Sequence, residues 1–504
     1  MSRGKSTSEL NNQVLLHNSE LKRLKDNGVV KKPIALAVSI AGLVIGLNGC
    51  DSANSAAEAN KNKVKNQLLS SNNSTVTPSV NDSVLVTIGA GKSNRIVWSD
   101  AERSLLQTLS ITNLPDVAPD ESNKYLSNPN AIELGKSLFF DPRLSETGTI
   151  SCSTCHQPDR EFSDGMRVAS GVKPGQRNTP SLLGVSYQQW LFWDGRKDSV
   201  WSQALEPFEN INEHNLTRVL VIKKVLGDEG YLKLYQSIFS DVPSLQEIAE
   251  WPDNASPKGD IEALKRWKSL PVETRKKINR VYSNIGKAIA AFEATLKFPE
   301  SKFDRFLSRL EQGETNPTGI VDTVGRVSTA GITATGIKNT SSEPADTASG
   351  AVFTHAEQLG LKLFIGKASC ISCHHSPLLS SQHFQNIGTG VRGKDMGRSQ
   401  VAEAQAWDKF NCLGEYSDAP KESCDDLKFM SKNRHELSGS FKVPGLRNVV
   451  KTAPYMHDGR FKTLDEVVHF YANPPSQKRT GHHLPEISLD ETEQKYLTEF
   501  LKTL

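Results

Sequence analysis

The sequence predicts an all-α protein made of two related units in tandem. Apolar residues recur mostly at helical spacing, with little of the alternation typical of strands, and one short segment occurs twice. Residues 134–139 and 359–364 both read Leu-Gly-x-x-Leu-Phe. With 504 residues, the chain is long enough for two or three domains that each bury a core.

The repeat extends beyond these helical segments. A proline-led segment at 180–182 precedes an Asp-Gly-Arg turn at 194–196, and the segment at 444–446 precedes a second such turn at 458–460 by the same interval. Self-similarity at separated positions indicates a duplicated supersecondary unit.

Each unit contains one Cys-x-x-Cys-His pentapeptide, at 152–156 and at 370–374. Cys-x-x-Cys alone also serves zinc sites and redox dithiols. Here the two pairs lie more than two hundred residues apart and each is followed by a histidine, which is the pattern of covalent c-type haem attachment. We therefore expect two haems, with thioether bonds from Cys152, Cys155, Cys370 and Cys373, and with His156 and His374 as iron ligands.

The expected fold class is all-α, with two tandem cytochrome-c-like haem domains and long loops. An amphipathic helix over 276–296 is expected to close the first domain, and 400–440 reads as a polar insertion in the second. The predicted boundaries are 1–50 for an export segment, 51–95 for a flexible tether, 96–310 for the N-terminal haem domain, 311–352 for a Gly/Thr/Ser-rich linker or insertion, and 353–504 for the C-terminal haem domain.

The amino terminus is typical of an export signal. An apolar run at 33–47 follows Lys31-Lys32 and precedes Cys50. We expect either a bacterial lipoprotein signal, with Cys50 lipidated, or an uncleaved membrane anchor. Both would tether the protein on the periplasmic side of a bacterial membrane.

The charge of the chain gives no reason to expect a nucleic-acid partner. The formal net charge is only +3, and residues 1–50 carry seven basic against three acidic side chains. The remainder of the chain is therefore close to neutral.

Two cysteines remain after the haem motifs and Cys50 are set aside. In an oxidising compartment Cys412 and Cys424 can form a disulfide that closes a small loop. Two separate thiols are the alternative, because spacing alone does not define the geometry.

The two repeats differ at the position that can cover the iron. Thirteen residues after Asp194 the chain has Pro207, whereas thirteen residues after Asp458 it has Tyr471. Proline cannot bind iron and a tyrosine oxygen can, so the first haem is expected to have an open face and the second to be capped by Tyr471. A packed core aromatic is the alternative for Tyr471.

An open haem suits peroxide, provided that an acid can move a proton between the two peroxide oxygens. Glu213 follows Pro207 by six residues and is the candidate, with Glu206 and Glu209 as competitors. The alternative is that all three are solvated surface acids. Few side chains between His156 and the end of the first predicted domain could bind the first iron from its other face. They are His214 and Met166.

From Ala131 to Leu504 the chain resembles bacterial di-haem cytochrome c peroxidases, and within them the MauG-like branch. The resemblance rests on LGKSLFFDPRLS, CSTCHQPDREFSDG, RNTPSLLG, FWDGR, CISCH and FKVPGLRNVVKTAPYMHDGRFKTLDEVVHFYA. It implies His156 on the peroxidatic haem, His374 on the electron-transfer haem, Trp193 as the relay between them, Glu213 as the acid-base residue, and a possible calcium site at Asn178 with the carbonyls of Thr452 and Pro454.

Two departures from the ordinary peroxidases are shared with the MauG-like branch. Those peroxidases have a methionine where this chain has Tyr471, and many have a blocking histidine in a loop that corresponds to 166–176. That loop has no histidine here, so the first haem is expected to be open without prior reduction.

The resemblance implies reduction of hydrogen peroxide at the open haem, with electrons relayed through the second haem. The donor would be a small periplasmic cytochrome c or cupredoxin. MauG-like oxidation of a protein substrate is the alternative within the enzyme class. A non-catalytic di-haem electron-transfer cytochrome is the alternative outside it, and it requires both irons to be six-coordinate.

Overall fold

The computed structural model describes residues 96–116, 118, 120–313, 353–390, 394–482 and 484–504. The predicted export segment, tether and all but the first three residues of the 311–352 segment lie outside this part of the chain. The described residues lie within one compact unit, Lys92–Leu504. Within them, no helix is long and apolar enough to cross a membrane.

The described chain is helical with almost no sheet, as the sequence predicts. The single antiparallel pair joins β1 (Phe384–Gln385) to β2 (Phe441–Lys442). The α-helices are α1 (Asp100–Gln107), α2 (Pro129–Phe139), α3 (Cys152–Cys155), α4 (Val200–Ala204), α5 (Glu206–Glu209), α6 (Arg218–Leu226), α7 (Glu229–Ile238), α8 (Leu245–Glu250), α9 (Ile261–Ser269), α10 (Val272–Glu293), α11 (Lys302–Glu311), α12 (His355–Ile365), α13 (Ala402–Gln405), α14 (Asp425–Phe429), α15 (Leu464–Ala472), α16 (Gln477–Thr480) and α17 (Glu491–Leu501).

The repeated Leu-Gly segments form equivalent helix crossings. Gly135 on α2 packs so closely on α10 that a Cβ atom there would collide with the carbonyl oxygen of Ala288. Gly360 on α12 packs in the same way on the carbonyl oxygen of Tyr496 in α17. Glycine at each crossing lets two helix backbones approach, which explains why the repeat preserves it.

Two hydrophobic cores surround these crossings. The first combines α2, α4, α6 and α10, with Trp201, Tyr282 and Ile289 fully buried. The second combines α12, α15 and α17, with Leu361 and Phe500 fully buried. Each core thus contains one of the two crossings.

The cores are not continuous in sequence. Trp98 and Phe306, from inside the predicted N-terminal boundaries, pack in the second core. Phe410 and Tyr416, from the predicted polar insertion, pack in the first core. The spacing of apolar residues within a segment predicts which side chains are buried. The core in which they pack depends on contacts between segments that are distant in sequence.

The insertion over 400–440 is anchored by covalent and polar bonds. Cys412 and Cys424 form a disulfide, which is the paired alternative of the sequence analysis. The Cys412 backbone N–H donates to the Asp198 carboxylate at 2.7 Å, and Asp418 forms an ion pair with the buried Lys287 at 2.7 Å. The insertion is therefore fastened to the first core at one end and at the middle of the disulfide loop.

Candidate functional site

The first Cys-x-x-Cys-His motif forms the short helix α3 and the residue after it. Ser151 and Thr154 form a reciprocal capping box that begins the helix. The Nδ1 atom of His156 lies 2.9 Å from the Phe162 carbonyl oxygen, which leaves Nε2 as the atom able to bind a metal. Burial lowers the pKa of His156, so the imidazole is neutral, as an iron ligand must be.

A cavity of 530 Å³ lies beside this motif. Cys152, Cys155 and His156 line it together with Pro207, Glu213 and other residues from both halves of the chain. Two orphaned polar atoms, Gln203 Oε1 and Glu293 Oε2, belong to residues of its wall and have no hydrogen-bond partner in the described chain. Paired cysteines, a neutral imidazole and unpartnered polar atoms fit a covalently held haem.

Of the three candidate acids, Glu213 lines the cavity. Its Oε1 atom accepts a hydrogen bond from Asn210 Nδ2 at 2.6 Å. Burial raises the pKa of Glu213, and nearby Arg196 acts in the opposite direction. A raised pKa favours the protonated carboxyl group, which is the form that can donate a proton.

The two competing acids are engaged in ion pairs. Glu206 lies 2.9 Å from Lys197 and 2.5 Å from Lys258. Glu209 pairs with the buried Arg218 at 2.7 Å and accepts from the Ser256 hydroxyl at 2.7 Å. These carboxylates therefore stabilise the packing around α5 and α6. The spacing in the sequence could not distinguish them from Glu213.

The histidine-free loop over 166–176 packs directly on Glu213. The Val172 N–H donates to the Glu213 carbonyl oxygen at 2.9 Å. A Cβ atom at Gly171 would lie 2.5 Å from the Glu213 Cα atom, so only glycine fits this approach. The side chain of Met166 is largely exposed and does not line the cavity.

His214 is a buried cavity-lining residue. Its Nδ1 atom lies 2.6 Å from the Leu144 carbonyl oxygen, and its ring packs edge-on against Phe208 at 5.2 Å. Burial lowers the pKa of His214. The ring is held by these two contacts, with Nε2 as its remaining polar atom.

Trp193 joins the two halves of the chain. Its indole N–H donates to the Asn178 carbonyl oxygen at 3.0 Å, and its own carbonyl oxygen accepts from the backbone N–H of Lys442 at 2.8 Å. The side chain is half-buried and lines the cavity. A large aromatic ring is thus fixed between the first motif and β2.

Lys442 is a neighbour of Trp193 that the sequence analysis did not single out. Its ammonium donates to the Trp190 carbonyl oxygen at 2.8 Å and to Gln188 Oε1. Burial lowers the pKa of Lys442 to about 7. No spacing in the sequence indicates this position, because the burial arises from segments on both sides of the chain.

The second motif has the same local geometry as the first. His374 Nδ1 lies 3.0 Å from the Leu379 carbonyl oxygen, and burial lowers the pKa of His374 to about 4. Burial also raises the pKa of the Cys370 thiol to about 12. Burial, and then the charges of Cys370 and Cys373, raise the pKa of Tyr471, so this phenol on α15 lies close to the motif.

Of the three predicted calcium ligands, Asn178 lines the cavity, whereas Thr452 and Pro454 do not. The Asn178 side-chain amide donates to the Met166 carbonyl oxygen at 2.9 Å, and its backbone N–H donates to the His457 carbonyl oxygen at 2.8 Å. Thr452 and Pro454 are half-buried in the turn before His457. Among the described residues, no three His, Cys, Asp or Glu side chains cluster as a metal site, so calcium would depend on amide and carbonyl oxygens.

The helical fold, the two haem-attachment motifs and the cavity define the class of this protein: a di-haem c-type oxidoreductase. Residues 129–312 match the family described as di-haem cytochrome c peroxidase. Over this segment the chain is similar to that family, and the curated relatives include proteins named as cytochrome c peroxidases and as MauG.

Curated relatives span most of the chain. The methylamine utilization protein MauG of Methylorubrum extorquens is 27% identical over 75% of this chain and 78% of that protein. A cytochrome-c peroxidase, IdrP1, of Denitromonas iodatirespirans is 28% identical over 74% of this chain and 81% of its own. The cytochrome c551 peroxidase of Nitrosomonas europaea is 26% identical over 68% and 72%.

Solved structures share the fold. The diheme peroxidase BthA of Burkholderia thailandensis is 20% identical, covers 75% of this chain and 86% of its own, and has a TM-score of 0.50. A variant of the same enzyme, also 20% identical, covers 79% and 88% with a TM-score of 0.52.

Proposed function

We propose that the cavity beside His156 is the site of hydrogen peroxide reduction. The observation that carries the proposal is Glu213, a carboxyl group with a raised pKa in the wall that also contains Pro207, which cannot bind iron. A haem bound at Cys152, Cys155 and His156 would supply the iron that binds peroxide and transfers electrons.

Glu213 is the group that moves the proton. It accepts a proton from the peroxide oxygen nearer the iron and returns it to the departing oxygen, which leaves as water. The Asn210 amide holds one carboxyl oxygen at 2.6 Å and leaves the other to face the substrate. The complete reduction consumes two protons and two electrons for each peroxide and forms two waters.

Trp193 is the proposed electron relay between the haems. Its hydrogen bond to Asn178 fixes the indole ring in the cavity wall, and the bond from the Lys442 backbone N–H fixes its carbonyl group. An indole is among the side chains most readily oxidised, and its rigid anchorage keeps the tunnelling distance constant. Lys442, buried and with a lowered pKa, adjusts the electrostatic potential at this ring.

A second haem would be held by Cys370, Cys373 and His374, and Tyr471 would supply an oxygen ligand for its iron. What supports Tyr471 is its proximity to both cysteines, which the rise in its pKa reflects. A phenolate on ferric iron stabilises the oxidised state, as a site that stores an oxidising equivalent requires. The two haems would then differ in axial ligation although their motifs share one geometry.

We also propose two tandem cytochrome-c-like domains, at 96–310 and 353–504, joined by the 311–352 segment. Helices α1 and α11 of the first domain pack in the second core, and the 400–440 insertion of the second domain packs in the first core.

Covalent haem attachment and the Cys412–Cys424 disulfide both suit an oxidising compartment, so we propose a periplasmic location. Tethering through Cys50 or the 33–47 segment, and calcium at Asn178, Thr452 and Pro454, are further proposals.

Electrons are proposed to come from a small periplasmic cytochrome c or cupredoxin. Oxidation of a protein substrate, which the resemblance to the MauG-like branch implies, is the second candidate. The two differ in a simple measurement: steady turnover of peroxide with a reduced small donor protein supports the first. Peroxide consumption that needs a client protein and oxidises its side chains supports the second.

The proposed function is tested by electron paramagnetic resonance of the isolated ferric protein before and after one equivalent of peroxide. We expect one high-spin and one low-spin ferric signal, both lost on peroxide addition. Two low-spin signals that ignore peroxide would contradict the proposal and identify an electron-transfer cytochrome. In that case His214, the buried imidazole of the cavity wall, is the residue to replace.

A further inference from the structure

The first haem cavity contains a buried acid that the proposed mechanism does not use. Glu293 is the last residue of α10, is 3% exposed, and lines the cavity with Cys152 and His156. Its Oε2 atom has no hydrogen-bond partner within the described part of the chain. The charge of Glu293 also contributes to the raised pKa of Cys152, so the carboxyl group lies close to that sulfur.

The second half of the molecule has no acid at the equivalent place. Gly135 crosses α10 at Ala288, and Gly360 crosses α17 at Tyr496. Glu293 lies five residues after Ala288, and the residue five positions after Tyr496 is Leu501. Leu501 is 8% exposed and belongs to the second core.

This comparison shows that the fold does not require an acid here. A leucine fills the same position at the other crossing, and an unpartnered carboxyl group in a protein interior is destabilising. Burial alone raises the pKa of Glu293 to about 8, so the group is a neutral hydrogen-bond donor at pH 7. A donor without an acceptor, directed at a cavity, needs an oxygen atom that enters the cavity.

No hydrogen bond joins Glu293 Oε2 to another ionisable group of the cavity within the described chain. Several of the charged residues that share its wall are bonded to one another. Asp194 and Asp395 both bind Arg177, at 2.6 and 2.8 Å. The charged residues of the wall besides Glu293 are Arg177, Asp194, Arg196, Glu213, Lys394 and Asp395.

We propose that Glu293 is a positioning residue that holds an ordered water against the Cys152 edge of the first haem, a contact that the second haem lacks. The inference rests on the proposed binding of the first haem at His156. Water is the occupant because it is the acceptor small enough to fit between a buried carboxyl group and a thioether, and buried waters satisfy such orphaned groups. The bound water and the acid dipole stabilise the ferric charge of the first haem selectively.

The test replaces Glu293 with the residue of the other repeat. In Glu293→Leu, the reduction potential of the first haem should rise, because a hydrocarbon environment stabilises ferric iron less, while that of the second haem stays unchanged. Glu293→Gln keeps a neutral donor of the same shape and should retain the potential of the parent protein at pH 7. Both potentials are read by spectroelectrochemistry without peroxide, after mass spectrometry has verified two attached haems.

A pH titration keeps the test decisive if the leucine variant folds poorly. In the parent protein the potential of the first haem should fall as pH rises through about 8, because ionised Glu293 stabilises ferric iron. Glu293→Gln should lose that dependence. Identical potentials and pH profiles in the parent and the glutamine variant would overturn the inference. A Glu293-dependent potential without peroxide turnover would instead contradict the proposed function and leave this inference standing.

Discussion

The proposed role of Glu213 rests on its surroundings rather than on its residue type. Three glutamates lie within eight residues on and after α5, and two are paired with cations. Glu213 has an amide as its neighbour, and burial raises the pKa of its carboxyl group. The unpaired acid is the one that lines the cavity.

Replacing this acid should abolish proton transfer while preserving the fold. In Glu213→Gln the amide oxygen can still accept from Asn210, so we expect normal haem content and a fall in kcat/KM for peroxide of about 10²- to 10⁴-fold. Stopped-flow kinetics with a reduced donor measures the effect. The control is Glu206→Gln, which removes an acid from the same segment and should lower stability but spare the peroxide reaction.

Replacement of Tyr471 by methionine should change a directly measurable quantity, the reduction potential of the second haem. In Tyr471→Met a neutral thioether replaces an anionic oxygen, so the reduction potential of the second haem should rise while the first stays constant. Potentiometry followed at both Soret bands measures the shift. Tyr455→Phe, which removes a hydroxyl that donates to the Val449 carbonyl at 3.1 Å, is the matched control. Equal potentials in the parent and Tyr471→Met would show that Tyr471 only packs in the core.

At the scale of elements, the molecule depends on two helix crossings with glycine at their centre. Adding a methyl group to Gly135 or Gly360 would drive it into a carbonyl oxygen of the facing helix. We expect Gly135→Ala and Gly360→Ala each to lower the free energy of unfolding by about 1–3 kcal/mol. Denaturant unfolding of each variant measures the loss.

A third glycine gives the control for this prediction. Gly230 lies in α7, where an added Cβ atom would meet only the Asp228 carboxylate at 3.2 Å. Gly230→Ala should be neutral or stabilise the helix by up to about 1 kcal/mol. If all three variants lost stability equally, close packing at the two crossings would not explain the effect.

The disulfide loop is an element that links sequence-distant parts of the molecule. Cys412 and Cys424 bracket Tyr416, which is 1% exposed in the first core. Replacing both cysteines by alanine should cost about 2–4 kcal/mol through the greater freedom of the unfolded loop. Calorimetry of the double variant measures it. A double variant as stable as the parent protein would contradict this account.

At the scale of the whole molecule, carboxylates with lowered pKa values make stability depend on pH. Lys197 and Lys258 overcome the effect of burial and lower the pKa of Glu206 to about 2, and Asp194 and Glu209 shift in the same direction. A lowered folded-state pKa contributes stability that is complete above about pH 4.5 and is lost as pH falls towards 2.

Acid unfolding should therefore be steep in this window. Glu206 contributes about 3 kcal/mol, because its pKa falls from 4.5 to about 2 and each pH unit corresponds to about 1.36 kcal/mol. Urea unfolding between pH 2 and 6 measures the slope, and Glu206→Gln should flatten it. A slope unchanged in that variant would show that other groups control acid stability.

The sequence by itself determined the features that depend on short spacing. Two cysteines and a histidine within five residues define a haem-attachment motif wherever they occur, and the Leu-Gly repeat places equivalent helices before both motifs. The helical class, the rarity of strands and the candidacy of Glu213 follow from the same local information.

Only the tertiary structure decided which side chains share a space. In the structure Glu213 lines the cavity, whereas Glu206 and Glu209 do not. Cys412 is bonded to Cys424. Phe410 packs in the first core although its sequence neighbours belong to the second half of the chain. It also brought Glu293 to the cavity opposite a motif more than a hundred residues earlier in the chain. Burial and ion pairing result from contacts between distant segments. The periodicity of one segment does not indicate which other segments it contacts.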